Sequence, residues 1–418
     1  MAEDPVDAAL TRLAREDGRR VLALLAARFG DVDLADDCVQ DALVQAVETW
    51  RADGIPNNPA GWLYSVAHNR GIDRLRRAAS ADRRLRAAAP DLTRPPEDPE
   101  EVPIVEELIV EHGSVGDEQL RLMLLCCHPA LDQDTQVALT LRLLGGLTTT
   151  EIAAAFLLPE ATLAQRIVRA KRKIREARIP LSIPADLDSR VDALLTVLYL
   201  VFNEGYLARG ESPDAVRVSL ADEAVRLTTV AGSLLPDNAE VSGLLALELY
   251  HRARLSTRLD GAGDIVQLAD QDRSRWDGPM IEEANGILKG VLGRAPAGSF
   301  QLQALIASQH ANAATPGDTD WTLIADLYVR LLEVAPSPVV ALNHAVAVAM
   351  ADGPRAGLAL LEGLAAPLAS YHLFHASQGE LLARAGDRDA ARASFVTARS
   401  LAVNPAEQRH LDRRIAGV

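Results

Sequence analysis

Aromatic side chains are scarce in this sequence, only 4% of it, while Ala, Leu and Arg are plentiful. Sheets favour aromatic and β-branched residues and helices do not need them, so the scarcity points to an all-α fold. Cysteine is scarcer still. Cys38, Cys126 and Cys127 are too few to frame 418 residues with disulfides, which fits a reducing compartment. No apolar run approaches the roughly eighteen residues of a membrane span. The stretch from Met1 to Arg20 is polar and mixed in charge, so neither a spanning helix nor a signal peptide is expected, and a cytoplasmic protein without a membrane partner is. Positive charge is also short. With 43 basic against 58 acidic residues, net −15, the surface as a whole is unsuited to coating nucleic acid or an anionic membrane, which leaves room only for local basic patches. Hydrophobic residues nevertheless reach 48%, enough to bury cores, and the length suggests two or three domains.

Several breaks divide the chain. Arg19 to Ala79 reads as amphipathic helices interrupted at Asp53-Gly54 and between Pro56 and Pro59. From Ala87 to Gly116 the composition turns to proline and acid, with Glu97, Asp98, Glu100, Glu101, Glu106, Glu107 and Glu111 set against a single Arg94, as in an acidic linker. A second helical block spans Asp117 to Arg178, and Pro180 and Pro184 precede a long helical extension. Its last part repeats at an offset of 34 residues. Ala345 falls on Gly379, Val348 on Leu382, Ala351 on Ala385, Gly357 on Ala391 and Leu361 on Phe395, a tetratricopeptide-like pattern of paired helices over 338–405. The assigned domains are therefore 1–86, a linker at 87–116, 117–180, and the extension 186–418.

The second block holds a DNA-reading pattern. Thr148 and Glu151 form a capping box that opens a short helix through Phe156, and Leu157-Leu158-Pro159 breaks it. A second helix starts near Glu160. On its wheel Leu163, Ile167, Ala170 and Ile174 share one arc, and Thr162, Gln165, Arg166, Arg169, Arg172 and Lys173 share the opposite one. Two short helices around a tight turn, the second one basic, make a helix-turn-helix whose polar arc suits base edges and phosphates. A charge run alone is usually a solvated face; here the cap, the turn, the apolar stripe and the basic arc coincide.

Upstream, Asn58-Pro59 supplies an N-cap and a first-turn proline. The helix that follows, from Pro59 to Arg77, is apolar nearly all round at its start, at Trp62, Leu63 and Tyr64. Its later half confines Gly71, Ile72, Leu75, Ala78 and Ala79 to one side and shows Asn69, Arg70, Asp73, Arg76 and Arg77 on the other, a second candidate DNA surface. The helix before it, Val32 to Trp50, has an apolar side of Cys38, Val39, Ala42, Leu43, Ala46, Val47 and Trp50. Its outward residues Asp37, Gln40, Asp41 and Glu48 suit a basic protein partner.

Other chemistry finds little support. Adjacent Cys126-Cys127 cannot readily give both sulfurs to one tetrahedral ion, so Cys126-Cys127-His128 reads as a buried apolar turn rather than a metal site. The remaining histidines form no HExxH and the extension has no phosphate-binding loop, so no cofactor, metal or catalytic residue is assigned and no enzymatic reaction is expected. Trp276 beside Arg273 and Arg275 reads either as a packed cation–π cluster or as a peptide-binding anchor, with packing preferred.

These patterns resemble the extracytoplasmic-function branch of bacterial RNA polymerase sigma factors. Leu34-Ala35-Asp36-Asp37-Cys38-Val39-Gln40-Asp41-Ala42 is similar to the region two helix that docks on the polymerase β′ coiled coil. Asn58 through Arg77 is similar to the helix that melts and binds the −10 element, and Leu147 to Arg175 to the region four helix-turn-helix that reads the −35 element. The resemblance implies core RNA polymerase, through β′ and β, and promoter DNA as partners. It implies two small helical sigma domains, −10 contacts from Asn58, Trp62, Asn69, Arg70, Asp73, Arg76 and Arg77, and −35 contacts from the polar arc. The loop Arg51 to Asn58 would line a pocket for a flipped base. Minimal members end shortly after the helix-turn-helix. This chain resembles the branch with a C-terminal tetratricopeptide-like extension, a cis-acting regulator of either sign with a protein or peptide partner, and Asn203-Glu204-Gly205-Tyr206 and Asp272 to Asp277 are similar to that branch's motifs. The rival is a helix-turn-helix regulator with a tetratricopeptide sensor that never binds core polymerase; it leaves the Asp37 to Asp41 face without a role.

Overall fold

The computed structural model describes residues 6, 9–10, 13–87, 112–145, 147–156, 158–177, 179–183, 187–206, 214–261, 263–294 and 296–418. The chain divides into two compact units, Met1–Val197 and Leu198–Val418. Among the described residues there is no β-strand, only the isolated bridge between Leu259 and Ile265.

In the first unit a short π-helical turn, Leu13–Asp17, leads into α1 (Gly18–Phe29), α2 (Val32–Asp53) and α3 (Pro59–Ala87). Gly30, at φ 65°, lets α1 stop in a left-handed turn, and the Asp31 carboxylate then accepts the amides of Asp33 at 2.9 Å and Leu34 at 3.1 Å to start α2. Leu22, Leu25, Cys38, Val39, Ala42, Trp50, Leu63 and Ala67 fill the core of this three-helix group. At Gly71 a Cβ would stand 2.2 Å from the tip of the Phe29 ring, so α3 crosses α1 closely and a larger residue there would have to displace that ring. Three apolar-side assignments fail: Val47 is 40% exposed, Leu75 is 42% exposed and Ala79 is exposed, each at the edge of its helix stripe.

Next come α4 (His112–Cys126), α5 (Gln133–Leu143), α6 (Thr149–Ala155) and α7 (Glu160–Glu176). Most of the assigned acidic linker lies outside the described residues. Helix α4 begins at His112, inside the assigned linker, because His112, Gly113 and Ser114 are weak helix formers that give no sequence signal for its first turn. Cys126 and Cys127 are wholly buried at its end, and burial pushes both thiols up, Cys127 to about 12. Gln136 fastens the turn beyond them by donating to the carbonyls of His128 at 3.1 Å and Leu131 at 3.2 Å. Helix α8 (Leu187–Tyr206) contains the division between the units, so the first unit keeps part of what the sequence assigns to the extension.

The second unit is a run of helical hairpins: α9 (Asp214–Leu234), α10 (Ala239–Ala253), α11 (Gly278–Val291), α12 (Ser299–Ala311), α13 (Trp321–Val334), α14 (Pro338–Asp352), α15 (Pro354–Glu362), α16 (His372–Ala385), α17 (Arg388–Leu401) and α18 (Pro405–Gly417). The 34-residue register falls where helices approach closely. A Cβ on Gly357 would stand 2.4 Å from that of Ala349, and one on Gly379 would stand 2.8 Å from the Phe395 ring. Trp276 packs. It is 8% exposed, its Nε1 donates to the Thr257 hydroxyl at 3.0 Å, and the Arg273 guanidinium lies 4.6 Å over its ring while donating to the carbonyls of His310 and Ala313.

Candidate nucleic-acid interface

The helix-turn-helix is built from its cap outward. The Thr148 hydroxyl accepts the Glu151 amide at 3.1 Å and the Glu151 carboxylate accepts the Thr148 amide at 2.7 Å, the reciprocal box expected at the start of α6. Ile152 and Ala153 anchor α6, and Leu163, Ile167, Ala170 and Ile174 are the buried side of α7. That seating turns Thr162, Gln165, Arg169, Arg172 and Lys173 into solvent, and Arg166 is half-buried.

These side chains already have local partners. Arg166 pairs at 3.2 Å with the exposed Asp134 in the first turn of α5, Arg172 lies 3.8 Å from Glu176, and Lys173 donates to the Ala130 carbonyl. Arg166, Arg169 and Lys173 line an open concavity of about 380 Å³ with Leu131, Asp132 and Thr135. Its one acid is committed to structure. Burial works against the Asp132 carboxylate, but the hydroxyl and amide of Thr135 and the charge of Arg166 outweigh it and hold its pKa below the usual range. The concavity therefore offers three cations to an anionic backbone.

In the first three helices Asn58 caps α3 by accepting the Gly61 amide at 2.9 Å, and Trp62 sits half-buried, edge-on to Trp50 at 5.6 Å. Tyr64 stacks on His68, and burial, then the charge of Arg28, lowers the His68 pKa. Asn69, Asp73, Arg76 and Arg77 are exposed along the later half of α3. Arg70 is not among them. Its guanidinium turns back to α2, donating to Gln45 at 2.8 Å and pairing with Asp41 at 3.3 Å. Arg74, which the sequence did not single out, lies beside it and pairs with Asp41 at 2.6 Å and Asp37 at 3.3 Å. The acidic face of α2 is thus partly neutralised from within, while Glu48 is exposed and Gln40 half-buried.

Sequence reasoning also missed Lys171 and Arg175. They lie between the apolar and polar arcs of α7 and reach Asp33 and Asp36 of α2. The only signal was matched spacing, i and i+4 for the cations and i and i+3 for the acids, 135 residues apart for the closest pair.

Comparison with known proteins bears directly on this arrangement. Residues 13–81 match Sigma-70 region 2 and residues 121–174 match Sigma-70, region 4. The ECF RNA polymerase sigma factor SigK of Mycobacterium ulcerans (strain Agy99) is 26% identical over 161 residues, 37% of this chain and 78% of that protein. The chain belongs to the extracytoplasmic-function sigma factors. A relative that spans the extension as well, the uncharacterized protein R00370 of Rhizobium meliloti (strain 1021), is 40% identical over 385 residues, 92% of this chain and 89% of its own length. Residues 190–292 match a family of unknown function, DUF6596. As a sigma factor the chain has core RNA polymerase and promoter DNA as partners, and the regulator that never meets polymerase loses its case. Among the described residues no helix is long and apolar enough to cross a membrane.

Proposed function

We propose that this sigma factor sets α7 into the major groove of a −35 element and α3 against the −10 element, while Asp37, Gln40, Asp41 and Glu48 meet the β′ coiled coil and region four reaches β. Residues 1–86, the linker 87–116 and residues 117–180 then act as the two DNA-binding domains and their connection, in the cytoplasm and without catalysing a reaction. The observation that carries this reading is the sidedness of α7, apolar at Leu163, Ile167, Ala170 and Ile174 and open at Thr162, Gln165, Arg169, Arg172 and Lys173. Gln165→Ala and Arg166→Ala should each weaken binding to a cognate −35 duplex by about 1–3 kcal/mol. Arg77→Ala should weaken binding evenly across sequences and flatten its salt dependence. A uniform loss from all three, measured as a salt series on cognate and scrambled duplexes, would reduce α7 to a phosphate-binding helix.

The extension is assigned as a regulator acting in cis. Residues 181–418 carry 20 basic and 29 acidic groups, net −9, and are tethered just beyond the basic helix. Tethering keeps local concentration high, so acidic helices would compete with DNA for Arg166, Arg169, Arg172 and Lys173. A chain ending at Tyr206 keeps α8 whole. If the extension masks, that chain binds the −35 duplex more tightly, most of all at low salt; if it acts positively, DNA binding is unchanged and transcription is lost.

A further inference from the structure

The second unit holds a cluster of aromatic and polar side chains that promoter recognition leaves without a role. Tyr199 of α8 lies edge-on to Phe300 of α12, with ring centres 5.6 Å apart. Tyr371, at the N-cap of α16, lies edge-on to His372 at 5.8 Å, and the His372 Nε2 stands 3.3 Å from the Glu407 carboxylate of α18. Tyr328 of α13 belongs with both groups. After burial, the charges that raise the Tyr371 phenol are those of Glu407 and Tyr199, and Tyr199 also bears on Tyr328, whose phenol burial pushes up to about 12. All six side chains are half-buried, so helices from α8 to α18 present them to one another.

The run of hairpins closes on itself to allow this. In a simple solenoid each repeat touches only its neighbours. Here Arg409 and Arg413 of α18 pair with Asp264 in the loop after α10, Arg409 at 2.5 Å, and Gln267 of that loop lies 3.2 Å from His410. Closure brings the last helix of the unit back to its first hairpins, which accounts for α8 and α18 serving one cluster. The hydroxyls of the cluster are uncommitted. Tyr250 donates to Asn285 at 2.6 Å, whereas among the described residues the hydroxyls of Tyr199, Tyr328 and Tyr371 have no protein partner. Half-buried polar groups are as a rule hydrogen-bonded, so these three are suited to a partner from outside the chain.

Charge selects the kind of partner. The nearby arginines are engaged elsewhere, Arg414 on Glu380 at 2.5 Å and over the Phe395 ring, Arg384 on the Met350 sulfur, and Arg409 and Arg413 on Asp264. The cluster keeps one carboxylate, one imidazole and several ring faces, whose quadrupoles are negative. We propose that Tyr199, Phe300, Tyr328, Tyr371 and Glu407 form a binding site for a small organic cation, an alkylammonium held by the ring faces and the carboxylate and oriented by a phenol hydroxyl. Enclosure by α8, α12, α13, α16 and α18 suits a small molecule better than a side chain whose peptide backbone would have to enter with it. The site would give the extension a chemical input, and it stands whether the extension masks the recognition helix or acts positively.

The test titrates the full chain with choline by calorimetry, and with the neutral alcohol in which a tert-butyl group replaces the trimethylammonium, so that shape and hydroxyl are kept and charge is removed. Choline should bind at one site per chain with a dissociation constant below about 5 mM, and the alcohol at least about tenfold more weakly. Glu407→Gln and Tyr328→Leu should each weaken choline binding at least about fivefold, whereas Tyr328→Phe, which keeps the ring face, should stay within about threefold. Thermal melts establish that each variant is folded; if Tyr328→Leu is not, the near-isosteric Glu407→Gln decides. No choline binding by the parent, equal binding of the alcohol, or parent-like affinity in folded Glu407→Gln overturns the proposal.

Discussion

At the scale of single residues, His310 carries a pH signature. Its ring lies edge-on to Trp321 at 5.1 Å, and burial, then the charges of Arg254 and Arg273, push its pKa down to about 4. The unfolded chain binds that proton near 6.5, so between about 6.5 and 4 the unfolded state holds more protons than the folded one. The stabilisation is complete above about 6.5 and is lost as pH falls through that window. Half-buried His251, with its pKa held far below the usual value by desolvation and the neighbouring Arg254, acts in the same direction. Thermal melts from pH 7 to 4 should show a falling midpoint, with a shallower slope in His310→Gln; identical slopes would contradict the assignment. The acidic face of α2 gives a second residue-scale expectation. Lys at Asp37 and Asp41 should weaken core binding by about tenfold or more, about 1.4 kcal/mol. Arg74→Ala should not weaken it, since the arginine only shields those acids; titration against labelled core enzyme separates the two. Much of this site was legible because a helical wheel sorts residues on one helix, as it did for Thr162 and Gln165. It could not place Arg70 or Lys171, whose partners lie 25 and 135 residues away in sequence.

At the scale of elements, signals a few residues long were read well. The capping box of α6, the Asn58 cap of α3 and the start of α7 at Glu160 all follow from local chemistry and recur in the structure. Thr148→Ala should cost about 0.5–2 kcal/mol, because it removes one half of the box and leaves the Glu151 amide without its acceptor. In the extension the 34-residue register was legible because close helix approach selects small residues at fixed intervals. Gly357 is the sharpest case: a Cβ there would also stand 2.6 Å from the Ala345 carbonyl, which is backbone and cannot swing aside. Gly357→Ala should destabilise the second unit by about 1–3 kcal/mol, read as a lowered denaturant midpoint with unchanged slope. Helices α9 to α12 were harder to order from sequence. Their contacts depend on single events such as Glu240 accepting the Phe300 amide at 2.7 Å across 60 residues, and such events leave no period.

At the scale of the whole molecule, charge and connectivity frame the activity. On the proposed reading, a chain of net −15 would bind DNA through two local surfaces, one on α3 and one on α7, and the remaining acid excess would limit non-specific association. The sigma regions were legible as an ordered set of motifs. The division within α8 was not, since a continuous amphipathic helix carries no mark of which unit covers each turn. The most direct measurement is run-off transcription by bacterial core RNA polymerase on a duplex from upstream of this protein's own gene, with and without the purified chain. The account expects a transcript of defined start that needs the chain, persists on a pre-melted template, and is lost with Lys at Asp37 and Asp41. A chain that binds the duplex yet leaves core polymerase silent on both templates would contradict it.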